Sequence, residues 1–482
     1  MLCDILVITS SVLRSQWVNP SDLMSLFLLI GSDVVQQAIA QLVGYELHLP
    51  GMRQYGIPIT PVALSFGWVA YAFSNLVNVV GDMKLLPTDY QPSIVVNCAT
   101  GFQRGNRSWI LNRLLSDHEI KCDAQTRKDI ETKGEKFTRD SIRIDIFQLE
   151  KDIGPRLDYV WWLGWVAIII QLGVAIIPWV LYGDYGTLLV TLGGNLLIAV
   201  TCALPQWKEE KWPNAKMFNE GVFCLTRGNG HPYIMVFVGA PGSWDIEKLA
   251  TGYSPPRKET RWVSFTLAIL WTCLLISLSG LQENTLYYMC IGVIGMLHNI
   301  LAAGATRSSS ALNVYMTSYA PVATIIGKRD LYKDDQDAYI DPDERTKELE
   351  DIAEQASHGE GVASKNRATA TISTRASSST SEEQWQESNP ISNVERTEEG
   401  PSERVVGDGV HGALMELEKW VPTAGLAMVQ IFFPGGLRYN EAAIRESGHK
   451  KFWSTAYATK SIRKVSDEKR RKEKREEVSV PV

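Results

Sequence analysis

Four long uncharged apolar runs limit what this chain can fold into. "YVWWLGWVAIIIQLGVAIIPWVLY" (159–182) and "YGTLLVTLGGNLLIAVTCAL" (185–204) form one close pair. "WVSFTLAILWTCLLISLSGL" (262–281) and "TLYYMCIGVIGMLHNILAAGA" (285–305) form another. Each has about the 20 residues that a helix needs to cross a hydrocarbon core. None holds a Lys, Arg, Asp or Glu, and aromatic residues gather near their ends, as in interfacial belts. "ITPVALSFGWVAYAFSNLVNVVG" (59–81) is a fifth run. "DLMSLFLLIGSDVVQQAIAQLVG" (22–44) is the sixth and the costliest, because Asp33 falls near its midpoint, at about 2.5–3.5 kcal/mol on insertion scales. The averages over 482 residues, a net charge of -6 and a mean hydropathy of -0.07, hide these runs because charged segments lie between them.

The sequence therefore predicts an α-helical polytopic membrane protein with about six spans in three hairpins. The turns at 183–184 and 282–284 are only Gly-Asp and Gln-Glu-Asn, and the turn at 45–58 carries Arg53 as its one basic residue. Every other Lys and Arg falls in the stub 1–21, in 82–158, in 205–261 or after 305. The positive-inside rule makes that face cytosolic, so the long loops and the C-terminus are expected there, in a membrane the sequence does not specify. The N-terminus, "MLCDILVITSSVLRSQW", has no basic region ahead of its apolar run and is not read as a signal peptide. The sequon at Asn106 lies on the cytosolic face and is expected to stay unglycosylated. Seven scattered cysteines without a C-x-x-C pair make neither a disulfide framework nor a zinc spacing. No metal site and no cofactor is expected.

The two long loops carry the pieces of a small α+β module. In 82–158, "SIVVNCA" reads as a strand, and "TGFQRGN" as a turn. "RSWILNRLLSDHEI" reads as a helix, from the spacing of Trp109, Ile110, Leu114 and Leu115. "SIRIDIFQLE" reads as a half-buried strand, from the alternation of Ile142, Ile144 and Ile146. In 205–261, "EGVFCLT" and "HPYIMVFVG" flank "RGNG". A phosphate loop needs Lys and Ser or Thr after its last glycine, whereas His231 and Pro232 follow Gly230. The pattern is instead that of a β-hairpin turn. A short helix follows in "SWDIEKLA", with Ser243 as its expected N-cap. The two loops are expected to combine into one unit.

The tail, 306–409, is expected to be mostly disordered from 331, where Asp, Glu, Ser and Thr dominate. The Ser/Thr tract at 371–381 could be phosphorylated, though such a tract is more often a solvated linker. Residues 410–437 regain apolar spacing at Leu414, Leu417 and Val421, but Pro422 and Pro434 leave too short a run to cross a bilayer. They are expected to form an amphipathic helical element on the module or at the interface. The segment 438–482 ends as a basic helix. Its stretch from Lys460 to Arg475 suits contact with anionic lipid, at about 1 kcal/mol per basic residue near the surface, or simple solvation. A multi-spanning chain has no use for a nuclear signal, so no nucleic-acid partner is expected. A cytosolic protein partner is expected but not identified.

Within the spans, Asp33, Gln37 and Gln41 follow at i, i+4 and i+8 and form one stripe. Asn75 and Asn78 lie on the second span, and His298 and Asn299 on the last. Ionisable groups at depth are functional candidates by default. Asp33 and His298 could mark a proton- or solute-linked path, or the amides and His298 could fix helix packing through hydrogen bonds. No catalytic motif is present. "HEIKCD" (His118 to Asp123) has the H-x₄-D spacing of glycerolipid acyltransferases, which chance explains in so short a match.

"TPVALSFGWVAYAFSNL" (60–76), "GFQRGNRSWILNRLL" (101–115), "ALPQWKEEKW" (203–212), "LTRGNGHPYIMVF" (225–237), "DIEKLATG" (245–252) and "MELEKWVPTAGLAMVQIFFPGGLR" (415–438) together resemble a family of multi-pass integral membrane proteins of filamentous fungi. The resemblance covers most of the chain outside 331–409 and the last forty residues. It implies a membrane protein and supplies no reaction, catalytic residue or ligand. The expected function is a non-enzymatic scaffold or regulator acting through its cytosolic face. The alternative is a transporter or export accessory of a fungal secondary-metabolite pathway. A membrane enzyme comes third, and would need His118 or His231.

Overall fold

The computed structural model describes residues 31–48, 56–81, 84–87, 91–133, 141–151, 153–213, 216–254, 257–279, 285–328, 346–347, 350–351, 403–433 and 451–461. The N-terminal stub, most of 331–409 and 462–482 therefore lie outside the described residues. So do the first nine residues of the expected span 22–44.

The chain begins with helix α1, Ser32–Leu42. A small ribbon follows, strands β1 (Glu46–His48) and β2 (Gly56–Pro58), and then helix α2, Trp68–Val80. The first long loop gives β3 (Ile94–Asn97), β4 (Gln103–Gly105), α3 (Trp109–Lys133) and β5 (Ile142–Leu149). Two apolar helices come next, α4 (Tyr159–Tyr182) and α5 (Gly186–Cys202), with a short helix α6 (Pro205–Lys211) behind a bend. The second loop gives β6 (Gly221–Thr226), β7 (Tyr233–Gly239) and α7 (Ile246–Thr251). Helices α8 (Lys258–Ser279) and α9 (Thr285–Gly304) close the bundle. After them come β8 (Met316–Ser318), β9 (Val322–Lys328), β10 (Glu403–Asp408), α10 (Gly409–Trp420) and α11 (Ala424–Phe432). A last helix, α12, runs over 451–461.

Among the described residues, α4, α8 and α9 are long and apolar enough to cross a membrane, and α5 joins them only if it is counted with α6 across their 45° bend. The six-span expectation is not supported. The run 59–81 fails because helix begins only at Trp68, leaving 13 residues, about 20 Å at 1.5 Å per residue against a core of about 30 Å. Pro58 and Pro61 supply no N–H and hold their predecessors extended. The run 22–44 is helical over only 11 described residues, Ser32–Leu42.

The path of 45–81 also corrects the expected hairpin. Glu46 pairs with Lys208 of α6 at 2.7 Å, and Tyr45 packs edge-on against Trp161 at the start of α4. The described part of the 45–58 turn thus lies at the end of the bundle that carries the sheet, not at the far end. From there residues 59–67 run inward as irregular chain, turning at 66–67. Pro61 meets α4 at Gly164, Leu64 meets α9 at Gly295, and the Phe66 ring lies against Gly292. Gly292 is twelve residues from the sheet end of α9, so the tip reaches about 18 Å into the bundle. Helix α2 then returns, with Trp68 stacked on Trp271 at 5.8 Å and Asn75 donating to Ser264 at 3.3 Å. The segment enters and leaves on one side.

The two loops do combine, in an eight-stranded sheet of order β10-β9-β5-β7-β6-β3-β4, with β8 also on β5. β5 pairs with β7 in parallel and β3 with β6 antiparallel, so each long loop borrows strands from the other. β6 and β7 form the expected antiparallel hairpin, and Gly228 and Gly230 have positive φ in its turn. Ser243 is not the cap of α7. Asp245 is, its carboxylate accepting from the Lys248 N–H at 3.1 Å, while Ser243 donates to the Ala240 carbonyl.

Strand alternation divides the apolar side chains between two layers. Val95, Leu225, Met235 and Phe237 face α3 and the bundle, in one core with Trp161, Ile198 and Trp207. Val96, Ile144, Ile146, Ile234 and Val236 face away, against α10, α11, Phe452 and Trp453. β5 is therefore buried on both faces rather than half-buried. The element 410–437 packs on the sheet as α10 and α11, turned at Val421–Thr423. Glu418 closes that turn by accepting from the N–H groups of Thr423 and Leu426. β9 and β10 were not expected as strands, and β10 falls inside the tract read as disordered.

Candidate functional site

The polar residues expected inside the membrane do not form one site. Asp33 is exposed in the first turn of α1, where its charge complements the helix N-terminus. Gln37 is half-buried, and Gln41 fully buried. Asn78 is half-buried, away from the Asn75–Ser264 bond. His298 is buried, and its Nδ1 lies 3.2 Å from Asn299 Oδ1. Among the described residues no hydrogen bond or ion pair joins Asp33 to His298. Two amides instead serve the non-helical segment 59–67. Asn299 Nδ2 donates to the Ala63 carbonyl at 3.2 Å and to Ser65 Oγ at 3.0 Å. Gln171 Nε2 donates to the carbonyls of Leu64 at 2.7 Å and Ile291 at 2.8 Å. Non-helical backbone deep in a bundle survives only where protein groups satisfy it, and these side chains do so.

A second polar layer, which sequence reasoning missed, lies where the bundle meets the sheet. Arg307, just beyond α9, grips Asp158 with two hydrogen bonds of 2.6 and 2.8 Å. It also donates to the Gln41 carbonyl at the C-terminus of α1. Lys211, 1 % exposed, donates to the carbonyls of Gln41 and Val43 at 3.1 and 3.0 Å. Arg113 donates to Ala303 and Ala305 at the end of α9 and pairs with Asp117 at 3.0 Å. The Gln41 amide oxygen, turned as its neighbours require, accepts from Arg113 Nε at 2.9 Å. Cations placed at helix C-termini satisfy the last carbonyls and oppose the negative end of the dipole. Arg307 closely follows an apolar run in the sequence, whereas Arg113 lies in the middle of the long loop helix and gave no signal.

Among the described residues, one cluster of His, Cys and Asp side chains sits on the inner face of the sheet. His118 and Cys122 are four residues apart on α3, hence on one face. Asp145 projects toward them from β5, between Arg143 and Phe147. His118 Nε2 lies 2.9 Å from Asp145 Oδ2, and Cys122 Sγ lies 3.4 Å from the same nitrogen and 3.6 Å from the same oxygen. Arg143 Nε donates to Oδ2 at 2.9 Å, and Thr324 Oγ1, from β9, donates to Oδ1 at 2.7 Å. Burial would raise the Asp145 carboxyl, but the His118 and Arg143 contacts outweigh it and hold the group well below the usual carboxylate range. Burial, and then the Asp145 charge, push the Cys122 thiol up to about 12.

That arrangement does not make a nucleophile. A relay uses the two ring nitrogens of His for different partners, and here Cys122 and Asp145 share one. A thiol raised so far stays protonated at neutral pH. The H-x₄-D spacing is also undone. Asp123 accepts from the Tyr233 hydroxyl instead, and the partner of His118 comes from β5. His231, the other histidine considered for catalysis, lies 3.7 Å from Glu119, whose carboxylate is already gripped by Arg227.

Comparison with family models, with curated proteins and with solved structures finds no match. The class rests on the molecule itself, a helical bundle with three helices able to cross a bilayer and a sheet-containing module at one end.

Proposed function

We propose that this is a multi-pass membrane protein of the filamentous-fungal kind its sequence resembles, acting without catalysis as a scaffold or regulator through a cytosolic sheet assembly. One observation carries the reading. A single apolar core runs from Trp161, Ile198 and Trp271 in the bundle to Phe237 and Trp244 in the sheet module. A partner bound to the outer layer of α10, α11 and α12 would be held at a fixed distance and angle from the bilayer. The basic end from Lys460 to Arg475 would add anionic-lipid contact, at about 1 kcal/mol per residue near the surface. Proximity labelling from a C-terminal tag tests this. A reproducible set of soluble cytosolic proteins is expected, and labelling only of proteins in the compartment across the membrane refutes it.

The non-helical segment 59–67 favours a second reading, transport, because transporters build substrate sites from interrupted segments inside the bundle. It ranks lower because Gln171 and Asn299 already occupy the carbonyls of Leu64 and Ala63. Flux measured in proteoliposomes decides. A pH-dependent flux that a folded Asp33→Asn variant loses would establish transport.

A further inference from the structure

We propose that His118 Nε2, Cys122 Sγ and Asp145 Oδ2 form a binding site for one zinc-class divalent ion between α3 and β5. Nitrogen, thiolate sulfur and one carboxylate oxygen are the donor set of zinc and its borderline relatives, not of calcium or magnesium. Around a tetrahedral zinc ion such donors stand about 3.3–3.6 Å apart. The observed separations are 3.4, 3.6 and 2.9 Å, and all three atoms lie within 4.8 Å of one another. Only the His118–Asp145 pair has to open, by a few tenths of an ångström, and side-chain rotation suffices.

The surroundings are those of a supported site. Metal-binding carboxylates are held by further hydrogen bonds, and Asp145 has them from Arg143 at Oδ2 and from Thr324 at Oδ1. The Oδ2 lone pair now aimed at His118 is the one the ion would take, leaving that of Arg143 in use. The Arg143 guanidinium is an unfavourable neighbour. The thiolate and Asp145 balance the ion, and the Asp123 carboxylate beside Cys122 offsets the guanidinium. On binding, the Cys122 S–H bond breaks and its proton leaves to water as the sulfur–metal bond forms. Nε2 of His118 sheds any proton it carries, to Nδ1 or to water, so that its lone pair is free for the ion. Three protein donors leave a fourth position for water.

The test uses the full chain in detergent, stripped with a chelator and titrated with Co²⁺. One equivalent should raise a thiolate-to-cobalt charge-transfer band in the near ultraviolet, and Zn²⁺ should erase it. Cys122→Ser should abolish the band, and Thr324→Val should weaken binding about 10- to 100-fold, as supporting groups do. The other buried thiol pair, Cys98 and Cys224, with sulfurs 3.3 Å apart, provides the control. A Cys98→Ser/Cys224→Ser protein keeps all three donors and must keep the band, and if Cys122→Ser does not fold, a protein whose six other cysteines are serine must still show it. Absence of the band in folded wild-type protein, its survival in Cys122→Ser, or its loss in the Cys98→Ser/Cys224→Ser protein overturns the site.

Discussion

The non-helical segment inside the bundle depends on the absence of a side chain at Gly295. A Cβ built there overlaps the Leu64 carbonyl oxygen and stands 2.6 Å from its carbon and 2.7 Å from Gln171 Nε2. Real Cβ atoms essentially never come under 3.0 Å, and the obstacle is backbone, which cannot rotate away. In Gly295→Ala the segment must back off from α9, and the 2.7 Å bond from Gln171 to Leu64 breaks. An orphaned acceptor in a dry site costs about 1–3 kcal/mol, and the overpacking costs about 1–3 kcal/mol more. The expected loss is about 2–6 kcal/mol. Gly173→Ala on α4 is the matched control. Nothing lies within 4 Å of its added Cβ, so helix propensity alone should stabilise it by up to about 1 kcal/mol. Thermal unfolding of the detergent-solubilised variants measures both. Equal midpoints for the two would refute the inward path of 59–67.

Arg307→Met should cost about 3–5 kcal/mol, as breaking a buried ion pair does, and Arg307→Lys should recover only part, since Lys cannot repeat the two-pronged grip on Asp158; denaturant unfolding reads both. Because the Asp145 carboxyl is held below its unfolded value of about 3.9, its stabilisation is complete above that pH and is lost as pH falls through and below it. Metal-stripped wild type should therefore lose thermal stability more steeply than Asp145→Asn between pH 5 and pH 3 (about one unit either side of that value). Trp453→Ala should cost about 3–5 kcal/mol, because the ring is 5 % exposed against the sheet's outer layer, and hydrogen exchange should rise first in β5 and β7.

Much of the sheet was legible in the sequence. Ile142, Ile144 and Ile146 alternate, and Asn229-Gly230 sits between two apolar runs, so β5 and the β6–β7 hairpin follow from local pattern. β9 and β10 were not legible. "ERVVGD" has little strand character by itself and becomes a strand only by pairing in parallel with β9, which is what makes β propensity a property of context. The candidate site was illegible for a similar reason. His118 and Cys122 could be placed on one helix face, but Asp145, their third partner, read only as the polar step between isoleucines.

The sequence by itself determined which stretches leave water. The transfer cost of charged and apolar side chains is additive along a chain, so α4, α8 and α9 could be read directly. Whether an apolar run crosses was decided by tertiary structure. Hydropathy does not distinguish a helix from irregular chain held by Gln171 and Asn299, and at 59–67 the hydrogen bonds from other helices made the difference.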